Sequence, residues 1–183
     1  MTTLAAPNTA HRGAKRTLGP AKALGLAGFL GVTVSAVLCQ EVFRSAEAWL
    51  AATWLDLFLP GGCVAAGTGY MISESPQGPI LFRITAECTS LVLIVPILLV
   101  GAALLLHRST TVRRVLVAAV TAAVALSVVN QARLGLIAWA TQTWGLDTGY
   151  EISHKLVGSI IGLLGFVAAL LAALKIVGLR RGR

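Results

Sequence analysis

Apolar residues gather in four long runs, Ala23 to Cys39, Thr89 to Leu106, Val115 to Trp139 and Leu156 to Leu174, with polar segments between them. Each run approaches the ~20 residues that a helix rising 1.5 Å per residue needs to cross a hydrocarbon core. The pattern predicts four transmembrane helices. Residues 40–87 form the longest connection. In its first part Phe43, Ala46, Trp49, Leu50, Trp54, Leu57 and Phe58 recur at near-helical spacing. That predicts an amphipathic helix lying at the membrane interface, where tryptophan suits the headgroup zone. Pro60-Gly61-Gly62 ends it. Two β-prone runs follow, Val64 to Ser73 and Ile80 to Ala86, on either side of the turn-forming Ser75-Pro76-Gln77-Gly78. They predict a small β-hairpin leading into Cys88. The expected fold is an all-α integral membrane protein, a single membrane domain over residues 1–183 with this extracytoplasmic decoration.

Composition agrees, since 56% of the chain is hydrophobic and only 12% is charged. The charges also give an orientation. Arg12, Lys15, Arg16 and Lys22 precede the first run, Arg108, Arg113 and Arg114 lie between the second and third, and Arg180, Arg181 and Arg183 follow the fourth. Short loops and tails rich in Lys and Arg stay in the cytoplasm. Residues 1–22 and 175–183 are thus expected to be cytoplasmic tails of a multi-pass plasma-membrane protein. Glu41, Glu47, Asp56, Glu74, Glu87, Asp147 and Glu151 occupy the other two connections, which are expected outside. The net charge of +8 is then a topology signal, and its partner is the lipid bilayer rather than a nucleic acid. The first run resembles a signal peptide but reads as an uncleaved anchor. Cys39 is a poor lipoprotein attachment site, because the bulky Leu38 precedes it.

Cys88, Arg133 and His154 each fall at the outer end of a different apolar run. Arg133 lies roughly 9 Å inside its end. A bilayer would collect the three in one outer-leaflet cleft. Cysteine supplies a nucleophile, histidine moves a proton and arginine stabilises an oxyanion, which are the parts of covalent acyl chemistry. An arginine at that depth must face the bundle interior or water, and its default reading is functional. Asn130, one turn deeper on about the same face, and Glu151, three residues before His154, are candidate supporting groups; Glu151 is placed to orient the imidazole.

These residues also carry a family resemblance. Glu87-Cys88-Thr89-Ser90 opening a helix, Asn130-Gln131-Ala132-Arg133, and His154 before a glycine-containing last helix resemble the exosortase and archaeosortase family over roughly Val64 to Leu174. Ser90 stands where members usually have glycine. The resemblance implies a membrane-embedded cysteine transpeptidase without metal or other cofactor. Its substrates would be exported proteins ending in a recognition motif, a transmembrane helix and a basic tail, transferred to a cell-surface acceptor. Cys88, Arg133 and His154 would be its catalytic residues.

Plainer readings compete. Cys63 and Cys88 share the oxidising side, where a disulfide would silence the nucleophile. Arg133 has an alternative partner in Asp147. A non-enzymatic membrane scaffold ranks second, and would not need the trio to meet. A transporter ranks third, because its polar groups would sit near the midplane. A metalloenzyme ranks last, for want of ligand spacing.

Overall fold

A computed structural model describes residues 19–178. The basic tails fall outside the described residues except for Lys22 and Lys175. Helix α1 spans Pro20–Leu38, with proline in its first turn where a missing N–H costs nothing. After a break at Cys39, α2 covers Gln40–Leu55. Strands β1 (Cys63–Ala66), β2 (Gly69–Ile72) and β3 (Ile80–Arg83) follow, then α3 (Leu91–Leu105) and α4 (Val112–Gly145). A wide, π-type helical segment, Leu146–Val157, leads into α5 (Gly158–Val177).

Two helical stretches are long and apolar enough to cross a membrane, Pro20–Leu38 and the continuous Val112–Val177. The second is a hairpin. Gly158 packs against Arg133 and Gly165 against Val129, so α5 runs antiparallel along α4. Helix α3 is apolar but only 15 residues long, with Pro96 inside it. It is shorter than the run at residues 89–106, whereas α4 outruns residues 115–139 at both ends. Lys22 donates from Nζ to the His107 carbonyl at 2.7 Å, which joins the start of α1 to the turn between α3 and α4 at one end of the bundle.

Two apolar cores result. Phe29, Ile97, Leu105, Val115, Leu126 and Val177 fill the bundle. The other core lies beyond it, where Ala48, Ala51 and Leu55 of α2 meet Tyr70, Ile72 and Phe82 of the sheet and Leu134 and Ile137 of α4. Val120, Val124, Val128, Leu163, Leu164 and Leu171 are exposed around the helices, the distribution that lipid rather than water favours.

The expected hairpin is instead a three-stranded antiparallel sheet of order β1-β2-β3. Gly67-Thr68 turns the first β-prone run back on itself, pairing Ala66 with Gly69 and Cys63 with Ile72. Residues 146–157 are likewise helical rather than an open loop. Gly145 takes φ +78°, breaking the helical path, and Gly149 then lies against the backbone of Ala140. A β-carbon on Gly149 would collide with the Ala140 carbonyl oxygen. Gly149→Ala is therefore expected to force the wide segment off α4 and lower stability by roughly 1–3 kcal/mol, read as a fall in melting temperature in detergent.

Candidate active site

The structure brings Cys88 and His154 into contact, with Sγ 3.2 Å from Nε2. Cys88 sits in the turn before α3, where its N–H donates to the Thr85 carbonyl. His154 comes from the wide segment. Tyr150, one turn earlier, stacks on its ring with centroids 4.9 Å apart and planes 17° from parallel. The stack continues through Phe82 to Tyr70, whose buried hydroxyl donates to the Leu134 carbonyl. The imidazole is thus held by a chain of aromatic rings anchored on α4.

Arg133 lines the same cavity, of about 280 Å³, as Cys88, His154 and Tyr150. Its Nε is buried without a partner. Asp147 is exposed and does not pair with it; the ion pairs among the described residues are Glu41 with Arg44 and Glu151 with Lys155. Gly158 creates the space for Arg133, since a β-carbon there would lie 2.8 Å from Nε. The charge lies at the wall of this cavity. A guanidinium facing a thiol–imidazole pair is suited to a developing oxyanion.

The two expected supporting groups both lie off the Cys88–His154 contact. Glu151 is exposed and pairs with Lys155 at 2.6 Å, so Tyr150 rather than Glu151 holds the His154 ring. Asn130 is buried and donates to Glu47 Oε1 at 2.9 Å, away from the reacting atoms. Glu47 went unrecognised in the sequence. It is 6% exposed, and its carboxylate also accepts from the Thr89 hydroxyl at 2.5 Å and the Ser90 N–H at 3.0 Å. Its backbone carbonyl accepts from Gln131 Nε2 at 3.2 Å. One residue of α2 therefore ties the segment after Cys88 to the α4 turn before Arg133. Its only sequence signal is an acid on the small-residue face that carries Ala48, Ala51 and Ala52.

All three cysteines are free, so no disulfide ties up Cys88. Burial, with Asp56 adding to it, pushes the Cys63 thiol up to about 11, which suits a packing residue and not a nucleophile. Among the described residues no three His, Cys, Asp or Glu side chains gather as metal ligands. A larger groove of about 960 Å³ is lined by Val32, Phe43, Leu98, Val124, Val128 and Gln131. Arg133 lies more than a third of a turn round α4 from Val128, so this apolar groove is separate from the polar site.

The transmembrane exosortase family model (Exosortase_EpsH) matches residues 3–173. The chain belongs to the transmembrane exosortase family. Comparison with curated proteins and with solved structures finds no match.

Two outcomes follow from this exosortase's site. Glu47→Ala removes the acceptor of three buried donors and is expected to cost about 2–4 kcal/mol in thermal unfolding, with Glu47→Gln recovering part of it. Burial, followed by the nearby Arg133 charge, lowers the pKa of His154 below its ordinary value. A base must be neutral to accept a proton, so any rate that depends on it falls as pH drops through that lowered pKa. The acid limb should lie below the ordinary ~6.5. Glu151 opposes the shift. Glu151→Gln should move the limb further to acid, as measured by the pH dependence of substrate processing.

Proposed function

We propose that this exosortase is a cysteine transpeptidase that cleaves carboxy-terminal sorting signals of exported proteins. The observation that carries the reading is the 3.2 Å Cys88–His154 contact in a cavity shared with Arg133, whose Nε has no partner among the described residues. His154 Nε2 takes the Cys88 proton as the sulfur attacks the scissile carbonyl carbon. A C–S bond forms, and Arg133 stabilises the negative charge on oxygen. Collapse breaks the C–N bond, and His154 returns the proton to the leaving amine. The product is a thioester on Cys88 and a free tail. An amine or hydroxyl acceptor at the cell surface, deprotonated by His154, then takes the acyl group and restores the thiol.

This chemistry requires the cavity on the outer side. α1, α3, α4 and α5 are the four spans, with both termini cytoplasmic and residues 40–87 outside. The Lys22–His107 contact supports that arrangement by joining two positively charged segments at the end expected inside. Substrates end in a recognition motif, a transmembrane helix and a basic tail, so the bilayer holds the scissile bond near the level of Cys88. Co-expression of such tailed proteins with wild type and with Cys88→Ala, read by mass spectrometry, tests the reading. Tail removal is expected to be lost with Cys88→Ala. Processing that survives the substitution would move the protein to the scaffold reading.

A further inference from the structure

The cavity beside Cys88 has an unusual wall. Every residue from Ile80 to Thr85 lines it. Successive side chains of a strand point to opposite faces, so the surface that six consecutive residues share is the strand's edge. Strand β3 is the edge of its sheet. Hydrogen bonds that flank the strands fix which of its backbone groups are free. The Ile84 N–H donates to the Thr68 carbonyl at 3.0 Å, while the Ser73 N–H donates to the Gly62 carbonyl on the β1 side. In an antiparallel ladder the bonding direction alternates, so Ile80, Phe82 and Ile84 bond towards β2. The N–H and C=O groups of Leu81 and Arg83 therefore point outward. The Thr85 carbonyl, next in that direction, is already taken by the Cys88 N–H, and the Arg44 guanidinium donates to the Ile84 carbonyl at 3.3 Å, fixing the strand's end.

We propose that the edge of β3 is the substrate-binding strand, where an extended peptide adds as a fourth strand along Leu81 and Arg83. The guest lies between this edge and the opposite wall of Arg133, Tyr150 and His154. The proposal rests on the peptidase reading above and specifies how the peptide is held. Main-chain pairing adds a grip along the peptide that the cavity's side chains alone do not supply. Leu81 and Arg83 are about 7 Å apart along the strand, the spacing of alternate residues in the guest. Because β3 runs into the Thr85–Cys88 turn, a guest in register with Leu81 and Arg83 delivers its next carbonyl towards the sulfur. An exposed edge strand is ordinarily an aggregation hazard; here the cavity beside it leaves room for one guest.

The test uses the full-length protein in detergent. The probe is acetyl-tetraalanyl chloromethyl ketone, whose chloromethyl carbon alkylates the Cys88 sulfur with loss of chloride and of the thiol proton, and chloroacetone, which carries the same reactive group, is the small control. Wild type is expected to react with the peptide at least roughly tenfold faster than with chloroacetone, as one or two added hydrogen bonds would give. N-methylation of alternate alanines should abolish that advantage, and methylation of the intervening ones should not, because only alternate amides face the edge. Leu81→Pro removes an outward N–H while leaving the β2 ladder its bonds, a substitution that edge strands tolerate. It should bring the ratio of the peptide rate to the chloroacetone rate down toward one, and its melting temperature in detergent reports that the variant is folded. An advantage that survives methylation at every position would overturn the docking mode and leave the nucleophile assignment standing. Equal rates for the two reagents in wild type would also overturn it. Equal labelling of wild type and Cys88→Ala would instead sink the peptidase reading, and the docking mode with it.

Discussion

A carboxylate withdrawn from water must be matched by donors, and at Glu47 that requirement connects the parts of this structure. Thr89 and Ser90 open the helix that follows Cys88, and Asn130 belongs to the helix that carries Arg133. Neither helix reaches the other's reactive group directly. The acid on α2 sets their relative height, and the Gln131 side chain repeats the tie by donating to the Glu47 backbone carbonyl and accepting from Trp54 Nε1. A buried acid in this position is costly, and several converging donors offset the cost. Those same donors fix one register of α2 against α3 and α4, which a sliding apolar contact would not do.

The remaining component is supplied by packing. His154 has no carboxylate to orient it, and its ring plane is set by Tyr150, Phe82 and Tyr70 in succession. This arrangement has an electrostatic result. A Cys–His pair backed by an acid would favour imidazolium, whereas here burial and Arg133 both favour the neutral ring. In the proposed reaction His154 would act first as a proton acceptor for Cys88. Arg133 would then have two effects there, offering charge to an oxyanion and keeping the imidazole uncharged beforehand.

That Cys88, Arg133 and His154 share one cavity was legible in the sequence because a bilayer converts position along the chain into depth. Residues at the outer ends of separate apolar runs must share one layer, whatever the details of packing, and Cys88 does meet His154 in the cavity that Arg133 lines. Contacts within that layer were not legible. Nothing in the periodicity of residues 40–58 distinguishes Glu47 from an acid facing water, since its donors come from residues more than forty positions away. Glu151 raises the His154 pKa, as its spacing suggests, but does not orient the ring. Its spacing to His154 was suitable, but Lys155 lies at i+4 and makes the closer pair. The third strand and the wide helical segment were missed for backbone reasons. Gly67-Thr68 hides a reversal inside a run that reads as one strand, and the path after Gly145 depends on a close approach to Ala140 that only the fold creates.

Strand β3 raises a question of economy that the bundle alone does not. A membrane enzyme can bring a tailed substrate to the right depth simply by sharing its bilayer, but depth leaves the peptide free to rotate and to slide. Hydrolysing or transferring at one bond requires the carbonyl to be held within a fraction of an ångström of the sulfur. The apolar walls contributed by Phe82, Ile84, Ile137 and Leu146 restrict side chains, not the main chain. A rigid edge fastened by the β2 ladder, Arg44 and the Thr85–Cys88 turn can restrict the main chain itself. On the proposed docking, the small sheet, which contributes nothing to crossing the membrane, is the element that turns a shared depth into a defined register.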